Sequence, residues 1–117
     1  MGGPYKHQAL TDRSLRAFDQ VYNTLGYGFL EKVYENALGL ELRKAGLAVV
    51  SQAPIQVYYA GQVVGEYAAV LLVEDAVIVE LKAVRTLAAE HEAQLLNYLK
   101  ATRYEVGCCS TLGRHHR

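Results

Sequence analysis

The sequence has no tryptophan, two prolines, one methionine and two cysteines, and its 12 basic and 12 acidic side chains cancel. The only cysteines, Cys108 and Cys109, are adjacent. Neighbouring strand residues point to opposite faces, so a bond between these two would be strained, and no disulfide framework holds this chain. Two thiols are also too few for a zinc site without histidines; buried core thiols are the plain reading. A zero net charge removes the electrostatic signature of a dedicated nucleic-acid binder, although a local patch can still bind phosphates on a neutral protein. No run approaches the roughly 20 apolar residues of a membrane span. Residues 1–8 lack the apolar segment of a secretory signal, so a cytoplasmic protein with no membrane partner is expected. What remains is 117 residues, 51% hydrophobic and 21% charged. That is enough for one globular domain with a modest core.

Periodicity divides the chain into elements. Thr11 is read as an N-cap, followed by Leu15, Phe18, Tyr22 and Leu25 at helical spacing. Gly26-Tyr27-Gly28 breaks the pattern, and a second helix is predicted over 29–45 with Gly46 just past its end. Short strands are predicted over 47–52 and 55–59, then a two-residue turn at Ala60-Gly61 and a strand over 62–73. Glu74-Asp75-Ala76 forms the next turn. Residues 77–84 read as a strand buried on both faces. A third helix over 87–102 and a last strand over 104–110 complete the order α-α-β-β-β-β-α-β, an α+β or α/β layer fold. The domain is expected over 10–113, with a flexible start at 1–9. Residues 114–117 form a basic tail in which His115 and His116 lie at a frayed end.

The chemistry concentrates on the strand Val77-Ile78-Val79-Glu80-Leu81-Lys82-Ala83-Val84. Alternation places Glu80 and Lys82 on one face among apolar neighbours. Buried charges are costly unless paired or bound to an ion, so this face is an ion pair, an edge strand with its charges in water, or a site. On the second helix a wheel puts Glu31 near Tyr34, Leu38 and Leu42, at the border of the apolar face. Lys32, Glu35 and Asn36 turn towards solvent. His91, Gln94, Leu95 and Tyr98 make one stripe of the third helix, whose polar members would need partners such as Glu80 or Lys82. The Gly26/Gly28 pair is too short for a nucleotide-binding fingerprint and reads as a helix-to-helix turn.

These residues resemble the GxxExxY proteins. The naming motif is matched by Gly28-Phe29-Leu30-Glu31-Lys32-Val33-Tyr34. Similar blocks follow in Gln52-Ala53-Pro54-Ile55-Gln56-Val57-Tyr58-Tyr59, in Val64-Gly65-Glu66-Tyr67, in the Glu80/Lys82 strand and in His91-Glu92-Ala93-Gln94-Leu95-Leu96-Asn97-Tyr98-Leu99. The resemblance spans roughly residues 10–113. That family is placed in the PD-(D/E)XK nuclease superfamily, which implies a mixed β-sheet flanked by helices. It also implies Glu80 and Glu31 as ligands of Mg²⁺ or Mn²⁺, and Lys82 as the residue that orients water or stabilises phosphorane charge. Gln94 and Tyr98 resemble the Gln-x-x-x-Tyr motif beside the metal and the nucleic-acid strand. Hard oxygen ligands suit such ions, and a bound ion activates water and offsets phosphate charge.

One position departs from that pattern. Where the family has Gly-Glu-Tyr-x-x-Asp, this chain has Gly65-Glu66-Tyr67-Ala68-Ala69-Val70. With a turn at 74–76, Val73 faces Val77, and counting back sets Val70 opposite Glu80. Glu66 and Glu74 lie about 13 Å away along the strand, which leaves Glu31 as the substitute acid. Residues 110–113 also differ from the family's Asn-Phe-Gly. The expectation is a degraded metal site with weak or no phosphodiester hydrolysis, using Mg²⁺ or Mn²⁺ if active and no cofactor otherwise. The alternative is a non-catalytic module that binds DNA or RNA, with Lys100 and Arg103 on the phosphates, or that binds a protein partner or a second copy.

Overall fold

The computed structural model describes residues 7–82, 104–110 and 115–116. Two helices come first, α1 (Gln8–Leu25) and α2 (Glu31–Lys44). Five strands follow: β1 (Val49–Tyr59), β2 (Gln62–Val73), β3 (Val77–Lys82), β4 (Glu105–Ser110) and β5 (His115–His116). They form one sheet in the order β1-β2-β3-β4-β5. All neighbours are antiparallel except β3 and β4, which run parallel. Parallel pairing requires a long crossover, and residues 83–104 between these strands are sufficient for one. The mixed α+β architecture is the expected one. The predicted third helix over 87–102, with Gln94, Tyr98 and Lys100, and Arg103 just after it lie outside the described residues.

Local chemistry explains most element ends. At the end of α2, Gly46 takes φ 86°. Its N–H donates to the Arg43 carbonyl (2.9 Å) while that of Leu47 donates to the Leu42 carbonyl (3.1 Å), a Schellman closure. Ala60 and Gly61 both have positive φ, as a two-residue turn matched to strand twist demands. Glu74 and Asp75 also sit at positive φ without being glycine. Their turn is tied down from outside: Ala48 N–H donates to Glu74 Oε2 (2.6 Å) and the Tyr104 hydroxyl to Asp75 Oδ1 (3.1 Å).

Three boundaries differ from the sequence reading. Helix α1 begins at Gln8, and Thr11 is buried inside it rather than capping it. Its hydroxyl donates to Glu105 Oε2 (3.3 Å), joining α1 to β4. Residues 49–59 form one strand rather than two, because Pro54 lies on the outermost strand of the sheet, where a missing N–H is tolerated. His115 and His116, expected in the tail, pair with Cys109 and Cys108 as β5. The buried-thiol expectation holds for Cys109.

The core has two parts, one on each side of the sheet. Leu15, Phe18 and Val21 of α1 and Tyr34, Leu38 and Leu42 of α2 cover Leu71, Val73, Val77, Val79, Leu81 and Cys109. On the far side Ala53, Ile55, Ala69, Leu72 and Ile78 pack with Tyr67, Tyr104 and Val106. Leu71 and Val73 thus join the helix side, whereas Tyr67 and Ala69, of the same parity along β2, join the opposite side. Between them β2 turns over. The ladder shows why: Ser51 pairs with Leu71 and Ala53 with Ala69, but Gln52 and Val70 between them do not pair, and Gln52 takes φ 55°.

Candidate functional site

That turnover lies beside Glu80. The β2–β3 ladder has three rungs, Val73↔Val77, Leu72↔Ile78 and Leu71↔Val79, and stops there. The next positions in this register would be Val70 and Glu80, but the pairing ends one rung before them. Val70 packs on the helix side, whereas Tyr67, the partner of Glu80, packs on the far side. Past this point β2 leaves β3 and stays with β1, which opens a fork with Glu80 at its base. Glu80 is 2% exposed. Its Oε2 accepts a hydrogen bond from the Tyr67 hydroxyl, and the Val70 N–H lies 3.5 Å away. Tyr67 reaches it only because β2 has turned over at Val70.

Burial pushes the Glu80 carboxyl above its ordinary range, and the charge of Glu31 pushes the same way. The Tyr67 hydroxyl, the Lys82 ammonium and the Val70 N–H pull it back without cancelling the rise. Glu31, Glu80 and Lys82 therefore share one electrostatic neighbourhood, although Glu31 and Lys82 are exposed where Glu80 is buried. Val70 packs partly against the helix-side core, which suits an apolar side chain. Sequence reasoning did not find Tyr67 as a partner of Glu80. The available signal was its position three residues before Val70.

The second helix corrects one expectation. Tyr34, Leu38 and Leu42 are buried as predicted, but Glu31 is exposed and Glu35, expected in solvent, is 5% exposed. The reason is local. Glu31 opens the helix in its first turn, whereas Glu35 lies against β1, where donors await it. Its carboxylate accepts from the Ser51 hydroxyl, from Gln52 Nε2 (3.1 Å) and from Lys32 Nζ (2.9 Å). Burial alone would raise this carboxyl, but the Ser51, Lys32 and Gln52 donors outweigh it and hold Glu35 below the ordinary carboxylate value. Glu35 thus grips the two residues that flank and form the β1 irregularity opposite Val70.

The Gly26–Gly28 segment is a helix connection, as expected: Gly26 N–H caps α1 on the Tyr22 carbonyl (2.7 Å), and the Tyr34 hydroxyl donates to the Gly26 carbonyl (2.5 Å).

Among the described residues, the side chains at the fork do not fit a divalent cation. Among the described residues, no three of His, Cys, Asp and Glu gather where they could hold a metal. The acid nearest the fork already receives a hydroxyl, and Val70 beside it is apolar. A hard cation needs several oxygen ligands and their charge, and among the described residues Glu80 is the strand carboxylate at the fork, with Glu31 acting on it from α2. No described helix is long and apolar enough to cross a membrane. Compared with known families, the chain matches over residues 8–116 the model described as the PD-(D/E)XK nuclease superfamily. No curated protein and no solved structure matches it.

Proposed function

The chain belongs to the PD-(D/E)XK nuclease superfamily, and from that premise we propose that it is a nuclease-like domain whose metal site has lost a strand carboxylate. Its phosphodiester hydrolysis is then weak or absent. The observation that carries this reading is Val70, whose N–H lies 3.5 Å from the Glu80 carboxylate just past the last rung of the β2–β3 ladder. Nucleases of this superfamily typically use divalent metals, and such an ion both generates a nucleophile and offsets phosphate charge. With one buried acid at the fork, neither effect is supported here, and no catalytic step is assigned to a metal.

Within that reading Glu80 is the remaining strand acid. Lys82 supplies positive charge beside it, and Glu31 is the helix carboxylate closest in effect. The Gly28-to-Tyr34 stretch supports placing the chain among the GxxExxY proteins. Gln94 and Tyr98 are proposed beside the site, and Lys100 and Arg103 on phosphates of DNA or RNA, in a cytoplasmic protein. A second reading, a non-catalytic module that still binds nucleic acid, is favoured by the Tyr67 hydroxyl that satisfies Glu80 without any ion.

The test is a cleavage assay on labelled single- and double-stranded DNA and on RNA, with Mg²⁺ or Mn²⁺. The natural protein is expected to cut little or not at all, Val70→Asp to cut more, and Val70→Asp with Glu80→Ala to lose the gain. Strong cutting by the natural protein that Glu80→Ala abolishes would overturn the reading. For the binding module, affinity should fall steeply between about 50 and 200 mM salt, as phosphate contacts require.

A further inference from the structure

Among the described residues, the β1–β2 hairpin extends past the last rung that β2 shares with β3. Its far-side packing ends at Ile55 and Tyr67. From there to the Ala60-Gly61 turn, residues 62–66 of β2 ladder only with β1 among the described residues. This leaves a two-stranded arm about 13 Å long. An isolated two-stranded ribbon is marginally stable in water, so an arm of this kind gains from a further surface. Its tip is apolar: Tyr58 is 59% exposed, Tyr59 75%, Val63 51% and Val64 61%. Tyr58 pairs with Val63 and so shares a face with it, while Val64 is the extra residue where the register shifts.

Charge decides what such a tip can meet. From Val49 to Gly65 the chain carries no charged side chain. Nucleic acid and anionic lipid are bound through cations, and this arm offers none. Exposed strands are commonly guarded by lysine, proline or a bulge; here Pro54 lies at the base and no charge guards the tip. The tip from Val57 to Gly65 carries no charge in either copy, with Glu66 at its base, so bringing two tips together desolvates no ion.

We propose that the β1–β2 arm is a self-association surface, in which two copies of the chain meet arm to arm through Tyr58, Tyr59, Val63 and Val64. The contact is independent of the fork at Glu80 and of any catalytic reading. Two tyrosines and two valines at these exposures offer on the order of 400 Å² per protomer. That is about half of a standard interface, so the dimer is weak.

The experiment is sedimentation of the full chain from about 5 to 300 µM, a range suited to a weak dimer. The expected result is a monomer–dimer equilibrium that changes little between about 50 and 500 mM salt, because no ion pairs form it. Tyr59→Glu and Val63→Glu should each weaken it by roughly tenfold or more, since each places a charge in an apolar contact. Their circular dichroism should match that of the natural protein. A chain that stays monomeric throughout the range would overturn the proposal. So would a dimer indifferent to both substitutions, or a monomer whose tip binds zwitterionic vesicles or single-stranded DNA instead.

Discussion

Replacing Glu35 with alanine removes the acceptor that joins α2 to β1. The natural carboxylate is buried and receives three donors, from Ser51, from Gln52 at 3.1 Å and from Lys32 at 2.9 Å. Hydrogen bonds to a charged group contribute about 1.5–3 kcal/mol each, but Ser51 and Gln52 are exposed and water replaces part of what they lose. The Lys32 side chain is 61% exposed, so its ion pair adds at most ~1 kcal/mol. The expected net loss for Glu35→Ala is about 2–3 kcal/mol, or roughly 8–12 °C in Tm for a domain of this size. Glu35→Gln, which keeps one acceptor oxygen, should lose about half as much. The pH dependence gives a second check. A carboxyl held below its unfolded value of 4.5 stabilises the fold above that value, and the contribution disappears as pH falls through the lower folded-state value. In urea unfolding followed from pH 7 to pH 3, the gap between the natural protein and Glu35→Gln should therefore close towards acid. A loss under about 0.5 kcal/mol for Glu35→Ala, or a gap that does not move with pH, would refute the reasoning.

Other substitutions probe the fork and the packing beneath it. Glu80→Gln should raise Tm at pH 7 by about 2–5 °C, because burial works against the charged carboxylate. For a carboxyl raised in the folded state, the native protein gains relative stability as pH falls through that raised value towards the unfolded one. The advantage of Glu80→Gln should accordingly vanish in acid, as thermal scans over pH would report. Tyr67→Phe removes the hydroxyl from Glu80 and should cost about 1–2 kcal/mol at neutral pH in urea unfolding, and raise the carboxyl further. Gly107→Val should cost roughly 1–3 kcal/mol by calorimetry, because even a Cβ at that position would lie 3.3 Å from Leu15 Cδ2.

Much of this architecture is legible in the sequence because its period and turn signals agree. The continuous apolar run through Val77 and Val79 predicts a central strand, and Val77–Leu81 are buried. The Glu74-Asp75-Ala76 turn sets the register of the β2–β3 ladder, Val73 with Val77 through Leu71 with Val79. Two features are not legible, for physical reasons. Helix geometry alone gives Glu35 a solvent-side angle, and only the donors of β1, contributed by a distant segment, make its burial favourable. The turnover of β2 depends on a glutamine at positive φ, and Gln52 carries none of the glycine or asparagine signal that marks such a backbone. Strict alternation therefore fails at the position beside the candidate site, and the link from Tyr67 to Glu80 is lost with it. Proline, read as a break between two short strands, instead marks an edge.

The most direct test of the central claim is a calorimetric titration of Mn²⁺ at neutral pH into three proteins: the natural chain, Val70→Asp, and Val70→Asp with Glu80→Ala. With one acid at the fork, the natural protein should show no saturable binding below about 1 mM. Val70→Asp should bind roughly tenfold tighter or better, and the added Glu80→Ala should remove that gain. Micromolar binding by the natural protein, abolished by Glu80→Ala alone, would contradict the account and restore an intact metal site.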